Sequence, residues 1–124
     1  MKFDVYFVDA FTDRVFSGNP AAVIFTDMDD EKLMQKIASE NNLSETAFVN
    51  ISNDINSIRW FSPLKEVDLC GHATLASGFV YFNFISNDEN EVSFMSASGE
   101  LSVRKKDDMY ELNFPKDNIK KIDL

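Results

Sequence analysis

The sequence predicts an α+β domain in which a sheet of about seven strands wraps around one buried helix. Three observations carry this. Thirteen consecutive positions, Ala73 to Ile85, hold no charged residue. If helical, they place Leu75, Phe79 and Phe82 on one side and Ala76, Val80 and Phe84 on the neighbouring sides, and a helix that is apolar nearly all round must be enclosed. The rest of the chain falls into short β-rich runs separated by turn residues rather than into alternating strands and helices. Finally, 124 residues with 44% hydrophobic content, including 12 Phe, suit one domain with a real core and leave little room for a second.

In chain order, Phe3, Val5 and Phe7 alternate with Asp4 and Tyr6, which predicts a strand over Lys2–Ala10. Phe16-Ser17-Gly18-Asn19-Pro20 breaks it, and Ala21–Phe25 reads as a short buried strand. Asp29 or Asp30 caps a helix. Its apolar stripe is Leu33, Met34, Ile37 and Ala38, and Asn41-Asn42 is its stop. Thr46–Ile51 and Ser57–Ser62 are strands joined through Ser52-Asn53-Asp54. Glu91–Ala97, Glu100–Lys105 and Met109–Phe114 are strands with hairpin turns at Ser98-Gly99 and Asp107-Asp108. Pro115 ends the last of them, and residues 116–124 read as a polar, loosely held tail. The basic run Arg104-Lys105-Lys106 meets Asp107-Asp108 at once, so it reads as a solvated hairpin end.

Composition excludes several functions. The net charge is −9, with 12 Lys and Arg against 21 Asp and Glu. Such a field repels a phosphate backbone and an anionic bilayer, so neither nucleic acid nor a membrane is an expected partner. The charge is spread evenly, with no acidic tail or basic arm. A single cysteine, Cys70, excludes an internal disulfide framework. With a single histidine, His72, it leaves too few soft ligands for a structural zinc site, so no metal is expected. Four scattered glycines give no phosphate-cradling loop or dinucleotide fingerprint, and no cofactor is expected. No apolar run reaches the roughly 18 residues of a membrane span. Met1-Lys2-Phe3-Asp4 lacks a signal peptide's apolar core, so a reducing cytoplasmic setting is the expectation.

Three places offer chemistry. In Val67-Asp68-Leu69-Cys70-Gly71-His72-Ala73-Thr74 a loop opens the buried helix. The unpaired amides near Gly71 to Thr74, with the helix dipole, attract a carboxylate, and Gly71 admits a ligand close to the backbone. The alternative is that Gly71 eases a turn and Thr74 or Asp68 caps the helix; spacing alone favours it. His72 is either an acid/base or donor near neutral pH or a structural residue. Cys70 is either a thiol activated by the helix N-terminus or a small buried hydrophobe. Glu45, in Asn42-Leu43-Ser44-Glu45-Thr46-Ala47-Phe48, sits where the chain enters the core. Partial desolvation would raise its pKa towards acid/base use, whereas a solvated structural role is the alternative. Asn19, in Gly18-Asn19-Pro20-Ala21, offers donors and an acceptor on a tight loop, or is a plain turn.

Taken together, the segments resemble the PhzF-like (phenazine-biosynthesis-like) family. The matching pieces are Val8-Asp9-Ala10-Phe11-Thr12, Phe16-Ser17-Gly18-Asn19-Pro20-Ala21-Ala22-Val23, Asn42-Leu43-Ser44-Glu45-Thr46-Ala47-Phe48 and Ile58-Arg59-Trp60-Phe61-Ser62-Pro63. Asp68-Leu69-Cys70-Gly71-His72-Ala73-Thr74 and Leu112-Asn113-Phe114-Pro115 complete the set. The resemblance implies a diaminopimelate epimerase-like fold, a curved, mostly antiparallel sheet around a central helix. It implies that residues 1–124 match the first of two such domains, as a fragment or as a half that pairs with its own copy. It implies cofactor-independent isomerase or epimerase chemistry on a small carboxylic acid, with Glu45 as acid/base and His72 contacting substrate. Asn19, Ser44, Cys70, Gly71, Ala73 and Thr74 are then the substrate-binding candidates. Related epimerases use a thiol at the position of Cys70, but PhzF-like members rely on the glutamate. The family's remaining active-site groups come from the second domain, so the resemblance also implies self-association or a missing half. A non-catalytic binding or assembly module with the same fold is the alternative.

Overall fold

A computed structural model gives the structure of residues 4–8, 20–42, 45–52, 54–107 and 109–113. The turn at 16–19 and the tail over 116–124 lie outside these residues. Among the described residues eight strands form one mixed sheet: β1 (Val5–Val8), β2 (Ala21–Phe25), β3 (Glu45–Asn50), β4 (Ser57–Phe61), β5 (Glu66–Val67), β6 (Glu91–Ser96), β7 (Gly99–Lys106) and β8 (Met109–Asn113). Helix α1 (Glu31–Asn41) follows β2, and helix α2 (Gly71–Val80) follows β5. The sheet order is β1-β2-β3-β4-β6-β7-β8, with β5 attached to β4. Pairings are antiparallel except β2 with β3 and β4 with β6, which are parallel.

Side chains alternate across a strand, and the two faces of this sheet carry different cores. Ala21, Val23, Ala47, Val49, Ile58, Trp60, Phe94, Leu101 and Val103 face α2 and pack with its Ala73, Ala76 and Val80. The intervening Ile24, Phe48 and Phe61 face outward and pack with Met34 and Ala38 of α1. The centre of the sheet is therefore covered on both sides, which is why β2 reads as a continuous apolar run. On the outer face the Arg59 guanidinium makes two 2.8 Å hydrogen bonds to Glu66, a 3.5 Å contact to Glu31, and lies 5.5 Å from the Phe61 ring centre. It ties α1 and β5 to β4.

The local signals behave largely as expected. Asp30 caps α1 by accepting from the amides of Lys32 and Leu33, and Asn42 ends it in the left-handed region at φ 31°. Gly99 takes φ 109° at the β6–β7 hairpin, a value that L residues avoid. Three features differ from expectation. Strand β5 was not foreseen, because two residues cannot display an alternation. The β4–β6 link rests on one register pair, Ser57 with Met95, and Asn56 stitches it: its carbonyl accepts from the Met95 amide and its side chain donates to Ser93. Finally, the helix expected over Ala73–Ile85 starts two residues earlier and loosens into a π turn over Tyr81–Ile85. There the Asn83 side chain donates to the Phe79 carbonyl at 2.7 Å and intrudes on the helical ladder. The wider turn leaves Tyr81 and Phe82 buried and carries Phe84 and Ile85 to the surface.

Gly78 sets how closely α2 approaches the sheet. A Cβ at this position would stand 2.6 Å from Val103 Cγ1 and 2.7 Å from Val103 Cβ, and a β-branched neighbour cannot swing away. Gly78→Ala should therefore lower stability by about 1–3 kcal/mol, although alanine is better than glycine in a helix interior by about 1 kcal/mol. Urea unfolding checks this. In a Val103→Ala background the same substitution should cost measurably less, the signature of a shared contact.

Candidate active site

Three of the chemistry-bearing residues meet at one end of the enclosed helix. Glu45 is the first residue of β3, in register with Ala21 of β2. It shares the inner face with Ala47 and Val49, so its carboxylate points towards the start of α2. The neighbouring Thr46 faces the other way, and its hydroxyl accepts a 3.0 Å hydrogen bond from Asn41 at the end of α1. That bond fixes the entry to β3, and with it the origin of the Glu45 side chain.

The other two residues ride on α2. Cys70 is its extended N-cap residue. The Cys70 carbonyl accepts from both the amide and the hydroxyl of Thr74, at 3.1 and 2.8 Å. The Thr74 hydroxyl in turn accepts a 3.0 Å hydrogen bond from the Trp60 indole of β4. A buried tryptophan N–H needs a partner, and this one locks the first turn of α2 against the sheet. The sequence predicts only a strand over Ser57–Ser62 and no role for Trp60, although the indole's need for an acceptor is a usable signal.

The result is a compact cluster of three groups, one ligand atom from each lying within 4.8 Å of the others. His72 Nε2 lies 3.8 Å from Glu45 Oε1, and His72 Nδ1 lies 3.5 Å from Cys70 Sγ. Burial pushes the Cys70 thiol up to about 11; the backbone amides of Ala73 and His72 pull it the other way and the Glu45 charge adds to the rise. Activation by the helix N-terminus thus loses to desolvation at Cys70, which is 8% exposed. Burial also lowers the His72 pKa below 6.5, against the attraction of Glu45. The imidazole is therefore neutral at neutral pH. A protonated thiol donates to Nδ1, which leaves the proton on Nε2 and aims that N–H towards Glu45. Nε2 is buried and has no hydrogen-bond partner among the described residues. Such an atom is costly unless something else meets it.

The substrate-binding candidates separate into groups. Gly71, His72 and Ala73 supply the first amides of α2, those without a carbonyl four residues back. Thr74 does not join them: it is fully buried and both its donors are held by the Cys70 carbonyl. Of the amides expected to attract a carboxylate over Gly71 to Thr74, that of Thr74 is thus taken by the Cys70 carbonyl, and those of His72 and Ala73 face the Cys70 sulfur. Asn19 and Ser44 lie outside the described residues. None of the four principal cavities among the described residues is lined by Glu45, Cys70 or His72. Among the described residues the cluster stands at an open edge, with the His72 and Glu45 side chains 26% and 28% exposed.

Comparisons with known proteins follow this geometry. The family model described as "Phenazine biosynthesis-like protein" matches residues 8–118. The chain is 50% identical over 117 residues to an uncharacterized isomerase of Pseudomonas aeruginosa, covering 93% of this chain and 45% of that protein. It is 45% identical over 124 residues to a human phenazine biosynthesis-like domain-containing protein, covering 93% and 43%. A crystal structure of a PhzF-family protein from Enterococcus faecalis superposes with a TM-score of 0.82 at 51% identity, covering 89% of this chain and 43% of that one. A predicted epimerase of Pseudomonas aeruginosa, at 20% identity and a TM-score of 0.67, shares the fold. The chain spans about half the length of the curated relatives it matches. No described helix is long and apolar enough to cross a membrane.

The depressed His72 pKa makes a pH prediction. The unfolded state binds a proton near pH 6.5 and the folded state only at lower pH, so the favourable term is complete above 6.5 and is lost as pH falls below it. Relative to His72→Gln, the wild-type chain should lose unfolding free energy on acidification through this range. Urea titrations of both proteins on either side of pH 6.5 check it; parallel pH profiles would contradict a neutral, buried imidazole.

Proposed function

Because this chain belongs to the phenazine biosynthesis-like family, we propose that it is the acid/base half of a cofactor-independent isomerase acting on a small carboxylic acid. The observation that carries the proposal is the unpartnered His72 Nε2 beside the Glu45 carboxylate, 3.8 Å away. A substrate oxygen placed against Nε2 satisfies that atom and brings a neighbouring C–H to Glu45. Glu45 then removes the proton from carbon, leaving an enolate whose oxygen the His72 N–H stabilises. The same carboxyl group, now protonated, returns the proton at a second carbon. The Gly71–Ala73 amides at the helix start attract the substrate's carboxylate, and Asn19 and Ser44 are its remaining proposed contacts. The relatives named as isomerases support the class of reaction.

An open edge holds substrate poorly, and acid/base help is realised only when the groups and substrate are kept together. We therefore expect the isolated monomer to be inactive and the competent species to be an associated one, formed with a second copy or a second domain. Deuterium wash-in at carbon-bound positions, followed by NMR over a panel of small carboxylic acids, tests this. Exchange by the associated chain should fall by about 10²–10⁴ in Glu45→Gln. Exchange that is unchanged in Glu45→Gln, or that a verified monomer performs fully, would overturn the reading.

One observation favours the second reading, a non-catalytic binding or assembly module. Val5 and Phe7 of the edge strand β1 are exposed at 37% and 65%, as are Phe84 and Ile85 at 61% and 44%. The Tyr6 ring lies 5.1 Å from Phe84, so these apolar groups flank one edge of the sheet. Surfaces of this kind drive association. Sedimentation should show mass rising with concentration, and Phe7→Lys with Phe84→Lys should restore a monomer. A wild-type chain that stays monomeric at high concentration contradicts it.

A further inference from the structure

We propose that Glu45, His72 and Cys70 form an exchangeable three-ligand site for a divalent cation of the zinc class, with water in the fourth position. One donor atom from each residue lies within 4.8 Å of the others. One edge of the site is already at coordination length: Zn–S and Zn–N bonds of about 2.3 and 2.05 Å at a tetrahedral angle separate the two ligand atoms by about 3.6 Å, and Cys70 Sγ stands 3.5 Å from His72 Nδ1. The third ligand is the adjustable one. The Glu45 side chain is 28% exposed, and its 3.8 Å contact is to Nε2 rather than Nδ1. It turns about three single bonds, however, so from a spacing within 4.8 Å its oxygen needs to close by up to about 1.5 Å to reach tetrahedral edges of about 3.3–3.6 Å.

The ligand types choose the ion. One thiolate, one imidazole and one carboxylate suit zinc, cobalt and their neighbours. Calcium and magnesium require six or more oxygens, which this cluster does not offer. The ligands stand on two separately anchored elements, with β3 fixed through Asn41–Thr46 and α2 through Trp60–Thr74. The site thus exists before the ion arrives. Three protein ligands and an open position describe an exchangeable site rather than a structural one. On binding, the sulfur–hydrogen bond gives way to a sulfur–metal bond, the proton passes to solvent, and no oxidation state changes.

Occupancy takes the Glu45 carboxylate, so the ion is an inhibitor of proton transfer. That consequence rests on the acid/base reading; the binding does not. The test needs no turnover. Titrating the folded 124-residue chain with Co²⁺ should give one thiolate-to-cobalt charge-transfer band saturating at one ion per chain and bleached by Zn²⁺. Cys70→Ser should abolish the band. His72→Gln and Glu45→Gln, with circular dichroism confirming the fold, should each weaken binding by at least about tenfold. No band in the wild type, or unchanged affinity in either His72→Gln or Glu45→Gln, overturns the proposal. Loss of deuterium exchange in Glu45→Gln without any cobalt band would leave the acid/base reading intact and remove this one.

Discussion

Much of this structure hangs on the hydrogen-bond chain from the Trp60 indole to the Thr74 hydroxyl to the Cys70 carbonyl. Helix α2 carries no full charge at neutral pH, so the sheet can close over it without desolvating an ion. Its buried hydroxyls are satisfied within the helix, Thr74 on Cys70 and Ser77 on Ala73. Apolar packing alone would leave such a helix free to slide and rotate. Trp60 removes that freedom at the N-terminus, and Gly78 against Val103 sets the depth of seating further along. The end that is pinned is the end that carries His72 and Cys70, so the contact that defines the core also defines the site.

The electrostatics of that site follow from depth. A helix N-terminus favours negative charge, and the amides beside Cys70 do favour its thiolate, yet burial outweighs them and the thiol is pushed up to about 11. The same burial keeps His72 neutral despite Glu45. With Cys70 and His72 held uncharged, His72 is left as a hydrogen-bonding neighbour of Glu45 rather than its counter-ion. A charged imidazole would instead form an ion pair with the carboxylate and remove it as a base. Low local polarity around α2, not the dipole of α2, is what separates the roles.

The fold was legible wherever the determinant was local. Asp30, Asn42 and the β2 run from Ala21 to Phe25 follow from capping and from burial on both faces. The uncharged run announced its own enclosure. Where a determinant spans the chain, the sequence was silent. The parallel pairing of β2 with β3 and the single-pair junction of β4 with β6 depend on which strands meet in space, and β5 exists only because β4 offers it an edge. The site divides in the same way. Glu45, Cys70 and His72 were each visible as candidates, yet local spacing favoured a structural role for each. Only the resemblance joined residues 27 positions apart in the chain, and only the fold showed that burial outweighs the helix N-terminus at Cys70.

The geometry also constrains which proton transfers half a site can serve. A carboxylate on one face of a planar enolate returns a proton only to that face. Moving a hydrogen from one carbon to another along one face therefore needs a single acid/base, and Glu45 suffices for it chemically. Inverting a centre needs a second acid/base on the opposite face. Cys70 is poorly suited to be that group: its ligand atom lies within 4.8 Å of the Glu45 carboxylate rather than across from it, and burial holds it protonated. For migration, a partner domain or second copy would supply only enclosure, keeping the substrate against His72 and water away from the enolate. For inversion it must also supply a residue. On the acid/base reading proposed above, what a partner domain or second copy brings against Glu45 and His72 decides between the two reactions.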